Sequence, residues 1–167
     1  MDPDGAVTRP TLHLMCGKIG AGKSTLAARL AEAPGTVLVS EDAWLGALFA
    51  DRMETPADYL HFAAKLREAM GPHVRALLAA GVSVVLDYPA NTREQRAWLH
   101  GLIGEAEHRL HWLDLPDEAC LARLHRRNAA GTHPFEVTDE HFRRVTRHFE
   151  PPRPEEGFAI QRHGPSP

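Results

Sequence analysis

Residues Gly17-Lys18-Ile19-Gly20-Ala21-Gly22-Lys23-Ser24, followed by Thr25, have the types and spacing of G-x-x-x-x-G-K-[ST]. Each part has a physical task. The glycines let the backbone curl until successive N–H groups face inward as a nest for an anion. A helix opening near Lys23 adds unpaired N-terminal donors and the positive end of its dipole. Lys23 then reaches the β- and γ-phosphates of a nucleoside triphosphate, and the Ser24 hydroxyl can serve Mg2+. The context fits, because apolar "TLHLMC" (11–16) precedes the loop and "KSTLAARLAEA" (23–33) follows it with Leu26, Ala27 and Leu30 on one helical face. Residues 17–25 are therefore expected to hold a phosphate chain.

Three further features bear on what happens to that phosphate. In "VLVSEDAWL" (37–45), Glu41 and Asp42 directly follow an apolar run. A carboxylate there could take a proton from an acceptor hydroxyl, and Asp42 is the better placed of the two; both could instead simply open a helix. In "VSVVLDYPANT" (82–92), Asp87 ends an apolar run, the usual place for an acid that holds Mg2+ through water. In "CLARLHRRNAAGTHPF" (120–135), Arg123 and Arg127 are four apart and share a helix face. With the Gly- and Pro-bearing loop behind them they could close over a triphosphate and neutralise charge during transfer, Arg127 being preferred over Arg126.

The elements that must position these groups are legible as alternation. Short apolar runs at 11–16, 36–40, 82–87, 108–115 and 158–163 read as strands. Helical stretches lie between them at 23–33, at 57–81 with a kink or break near Gly71-Pro72, at 93–106 behind a Thr92/Gln95 capping box, and from Pro116 through 130. Strands alternating with helices predict an α/β fold, a parallel sheet with helices on both faces that binds ligands beyond the carboxyl ends of its strands. Asp42 and Asp87 fall on that edge. Segment 149–157 is expected to loop over the sheet edge and 162–167 to fray.

At 167 residues the chain suits one domain spanning 1–167. Its formal charge of −3 excludes the overall basic excess used to track along duplex DNA. Cys16 and Cys120 lack disulfide-framework or metal spacing and read as small apolar fillers in a reduced compartment. The polar N-terminus "MDPDGAVTRP" has no signal-peptide core and no run is long enough to span a membrane, so a cytoplasmic location is expected. The histidines show no metal-binding pair and read mostly as surface residues, while Trp98 and Trp112 read as packing.

Together, "GKIGAGKST", "SED" after the second strand, "VVLDYPANT" and "ARLHRRN" resemble the small AAA_33-type P-loop kinases, relatives of zeta toxins, chloramphenicol phosphotransferase and polynucleotide kinases. The resemblance covers about residues 11–163. It implies a three-layer P-loop NTPase fold, with a five-stranded parallel sheet in order 2-3-1-4-5 and a short lid at about 123–138. It also implies ATP with Mg2+ as donor and a hydroxyl acceptor. Residue by residue, Lys23, Ser24 and the rest of 17–25 take the ATP phosphates, Asp42 takes the general-base role, and Arg123 with Arg127 take the lid roles. "LDYPANT" is also similar to a segment of adenylate kinases, but Asn91 stands where those enzymes place an arginine for a nucleoside monophosphate, which argues against that acceptor. Glu41 stands where polynucleotide kinases usually carry an arginine, which weakens a 5′-hydroxyl nucleic-acid acceptor.

In such kinases the insertion at about 43–80 builds the acceptor site, for which Trp44, Arg52 and Tyr59 are the candidates here. The leading expectation is ATP-dependent transfer to a small-molecule or sugar hydroxyl. A polynucleotide 5′-hydroxyl kinase, and a nucleotide-dependent switch without an acceptor, stand as alternatives. No N-K-x-D run supports GTP. The adenine is expected to be bordered by Arg123, Arg127 and segment 149–157.

Overall fold

The computed structural model describes residues 9–131 and 136–164. Five strands, β1 (Thr11–Gly17), β2 (Thr36–Ser40), β3 (Ser83–Pro89), β4 (Glu107–Leu113) and β5 (Ile160–His163), form one parallel sheet in the order β2-β3-β1-β4-β5. This is the expected topology. The central strand β1 is buried on both faces, which is why "TLHLMC" reads as an almost continuous apolar run. Leu12, Leu14 and Cys16 pack with Val84 and Leu86 under helices α2 (Glu41–Phe49), α3 (Pro56–Ala79) and α4 (Arg93–His100). On the other face Met15 and Val85 meet Ala27 of α1 (Lys23–Leu30). A third cluster joins Ala21 and Leu113 to Cys120 and Leu124 of α5 (Asp117–Ala130) and to Phe142 of α6 (Asp139–Thr146).

Several expectations need correction. Of the kink or break expected near Gly71-Pro72, the break does not occur: α3 runs as one helix through it. Met70, Gly71 and Val74 are buried around the proline, whereas Pro72 and Glu68 are exposed, so the carbonyl that loses its partner can be hydrated. Helix α4 ends at His100 rather than near 106, with Gly101 as its cap and Gly104 at φ +56° closing off continuation. Helix α6 was not anticipated. It carries only Phe142 and Val145 as large apolar residues, and its signal lay in the Thr138 N-cap, which accepts from the His141 amide, and in Asp139 and Glu140 behind it. The expected lid at 123–138 begins inside α5 and partly falls on 132–135, outside the described residues. The N-terminal reading likewise concerns mainly residues 1–8, and the frayed tail 165–167, which also lie outside them.

The histidines are not all at the surface. His13, His111 and His163 form a hydrogen-bonded row across β1, β4 and β5, with His13 Nδ1 to His111 Nε2 and His111 Nδ1 to His163 Nε2 both 3.0 Å. Ring centroids are 5.3 Å apart at each step, the separation that two ring radii of about 1.2 Å and one hydrogen bond give when nearly in line. His111 is buried, and desolvation together with its histidine neighbours lowers its pKa to about 4. No helix among the described residues is long and apolar enough to cross a membrane.

Candidate active site

The carboxyl ends of β1, β2 and β3 bring the sequence-predicted groups to one edge. Between β1 and α1 the chain turns through Gly20 at φ +79° and Gly22 at φ +98°. Gly20 is confined as well as left-handed, because a Cβ there would lie 2.7 Å from the Cys120 carbonyl oxygen. Ile19 tucks against the α5–α6 cluster, and Lys18 Nζ binds Asp117 Oδ1 at 2.6 Å. The loop is thus fastened to α5. Lys23 Nζ donates to the carbonyls of Gly17 at 2.5 Å and Lys18 at 3.0 Å, folding the ammonium back over the loop. Burial lowers the Lys23 pKa, and Asp87 is the first of several groups that oppose it.

Ser24, the first hydroxyl after the lysine, donates to Asp87 Oδ2 at 2.9 Å, while Thr25 is exposed beside it. Asp87 sits two residues before the end of β3, where burial raises its pKa against the pull of Ser24 and Lys23. Ser24 and Asp87 therefore present two hard oxygen donors side by side, a set that fits Mg2+, which keeps most of its water and takes few protein ligands.

Helix α2 separates the two acids that follow β2. Ser40 is its N-cap, accepting from the Ala43 amide at 3.3 Å. Successive helical residues are about 100° apart, so the cap sends Glu41 inward and Asp42 outward. Glu41 is buried and accepts from the Tyr59 hydroxyl at 2.7 Å and Arg67 Nε at 3.3 Å; burial raises its pKa against both partners. Asp42 is exposed and takes no hydrogen bond or ion pair among the described residues, yet its charge is felt at Lys23 and Asp87. Of the acceptor-side candidates, Tyr59 has its hydroxyl committed to Glu41. Trp44 is exposed on α2 two residues from Asp42, about 200° around the helix, so the two side chains leave on opposite sides. Arg52 is exposed in a short 3-10 turn after α2. The aromatic pair between α2 and α3 is Phe49 with Phe62, centroids 4.5 Å apart.

Arg123 reaches the loop from α5, donating through Nη1 to the Ala21 carbonyl at 3.0 Å. Arg127, one turn later, is half-buried with Nε lacking a hydrogen-bond partner among the described residues. His125 with Asp139 at 2.6 Å ties α5 to α6, and Asn128 Nδ2 donates to the Val137 carbonyl at 2.9 Å just ahead of α6.

Sequence reasoning missed Arg96. It is fully buried on α4, gripping Glu156 through Nε at 2.6 Å and Nη2 at 3.1 Å. Its Nη1 also donates to the carbonyls of Ala90 at 3.0 Å and Glu150 at 2.8 Å. Segment 149–157 is consequently bound to α4, with Phe149 near the Lys18 ammonium at 5.8 Å. The available signal was an arginine one turn before Leu99, on the apolar face of the helix.

The family AAA_33, described as an AAA domain, matches residues 12–152. Among solved structures, a sugar kinase from Janibacter sp. is 19% identical, with 93% of this chain and 84% of that chain covered at a TM-score of 0.61. The APS kinase of Mycobacterium tuberculosis in complex with AMPPNP and APS is also 19% identical, with 95% and 90% covered at a TM-score of 0.61. A chain of the Pnkp1/Rnl/Hen1 RNA repair complex is 22% identical, with 89% of this chain and 46% of that chain covered at a TM-score of 0.65. No curated protein matches in sequence. The fold is that of the P-loop kinases.

Proposed function

This chain belongs to the AAA_33 family, and from its site we propose that it is an ATP-dependent phosphotransferase acting on a hydroxyl of a small-molecule or sugar acceptor. One observation carries the reading: Asp42 is a carboxylate uncommitted among the described residues whose charge is felt at Lys23 and Asp87, whereas the neighbouring Glu41 is buried and bonded. A nucleotide switch would not need such a group.

Residues 17–25 bind the phosphate chain, with Lys23 leaving the loop carbonyls for the β- and γ-phosphates. Ser24, and Asp87 through water, would hold Mg2+, which neutralises charge shared by the β- and γ-phosphate oxygens. Asp42 accepts the proton of the acceptor hydroxyl as its oxygen bonds to the γ-phosphorus. The bond from that phosphorus to the β,γ-bridging oxygen breaks, and ADP leaves with the electron pair. Arg123 and Arg127 stabilise charge on the transferring group from α5, and 43–80 forms the acceptor side.

The test is transfer from γ-labelled ATP to a panel of small-molecule and sugar alcohols. Asp42→Asn should lower transfer by about 100- to 10,000-fold while ATP affinity is retained. Transfer at the wild-type rate by Asp42→Asn would remove the assigned base. Transfer to a 5′-hydroxyl oligonucleotide alone would replace the acceptor class.

A further inference from the structure

The first residue of the phosphate loop is held by a side chain that the proposed reaction does not use. β1 loses its regular register with β3 between Leu14 and Met15, the latter pairing with Pro89. The Gly17 amide, beyond that irregularity, donates to Asn91 Oδ1 at 2.9 Å, so the amide side chain supplies an acceptor where the ladder has moved out of step. The Gly17 carbonyl accepts Lys23 Nζ. One peptide residue therefore has Asn91 at its donor end and the catalytic lysine at its acceptor end.

Asn91 is itself fixed from two sides. Its amide donates to Gln95 Oε1 at 2.9 Å within the α4 capping arrangement, and its carbonyl accepts the Glu150 amide at 2.8 Å. Arg96 pins the carbonyls on either side of this contact, at Ala90 and Glu150. The chain leaving α6 is thus bonded to the residue that holds the entrance of the phosphate loop. A neutral amide suits this position: an acid could accept the same hydrogen bond but would add negative charge beside the anion nest.

We infer that Asn91 is a positioning residue of the phosphate loop, setting Gly17 at its entrance, with Arg96 holding Asn91 and the segment after α6 in register. This rests on the reading that residues 17–25 bind ATP.

The experiment measures ATP affinity by calorimetry, thermal midpoint, and exchange of the Gly17 amide by NMR, in the wild type, Asn91→Ala and Asn91→Asp. Asn91→Ala should expose the Gly17 amide to exchange and weaken ATP binding about tenfold, the worth of one well-placed hydrogen bond. KM for ATP should rise while KM for the acceptor stays unchanged. Asn91→Asp should restore Gly17 protection and the thermal midpoint without restoring ATP affinity, a split that a purely structural role would not produce. Should Asn91→Ala not fold, Asn91→Asp alone still decides, because a Gly17 amide open to exchange there together with wild-type ATP affinity refutes the inference. Wild-type affinity in Asn91→Ala would overturn the inference alone. A wild-type chain that binds no ATP would overturn the phosphate-binding reading and the inference with it.

Discussion

Replacing His111 by glutamine should remove a large part of the acid sensitivity of this fold. In the folded chain the imidazole titrates near 4, because it is buried and faces His13, His163 and Arg109. In the unfolded chain it titrates near the ordinary histidine value of about 6.5. Above that value both states are neutral and the group does not affect stability. As pH falls from about 6.5 to about 4 the unfolded chain takes up a proton that the folded chain refuses, so stability is lost across that window. Between pH 7.5 and 4.5 the loss from this one group comes to roughly 2 to 3 kcal/mol. Urea unfolding at those two pH values measures it. Glutamine offers one donor and one acceptor to the row but does not titrate, so His111→Gln should lose roughly 2 to 3 kcal/mol less than wild type. Carboxylates such as Asp87 and Glu41, whose pKa values burial raises, act equally in both proteins and cancel in the difference. An identical pH-dependent loss in the two proteins would refute the assignment.

Two further outcomes follow from the loop and its floor. Gly20→Ala places a side chain at φ +79° and 2.7 Å from a backbone oxygen, so it should cost about 1 to 3 kcal/mol or more and weaken ATP binding at least tenfold. Gly104→Ala, strained at φ +56° but facing open space, should leave ATP binding unchanged; calorimetry that finds both variants equal would contradict this. The buried Cys16 thiol is pushed up to about 12, mainly by desolvation, so iodoacetamide at pH 8 should leave it unmodified in the native chain and alkylate it in urea. Rapid native labelling at Cys16, read by peptide mass spectrometry, would contradict its placement.

The residues proposed to hold phosphate and the order of the five strands were legible in the sequence. A phosphate loop is a local device: its glycines, lysine and serine act within one turn between a strand and a helix, and apolar alternation marks both. Capping boxes such as Thr92 with Gln95 were legible for the same reason. Helix α6 was not, because eight residues with one buried phenylalanine give too little periodicity. The unbroken α3 was not, because burial on both sides of Pro72, decided by α4 and the sheet, outweighs what proline does locally.

The sequence by itself determined that Glu41 and Asp42 reach the carboxyl edge of the sheet next to the phosphate loop. Only the tertiary structure decided which of them is free. The N-cap at Ser40 fixes the rotation of α2, and α3 brings Tyr59 and Arg67 to the acid that turns inward. The same division holds for Asn91 and Arg96, whose contacts with Gly17, Glu150 and Glu156 span 54 to 74 residues of the chain. No local pattern encodes such a pairing; it exists only when two sheet crossovers have closed.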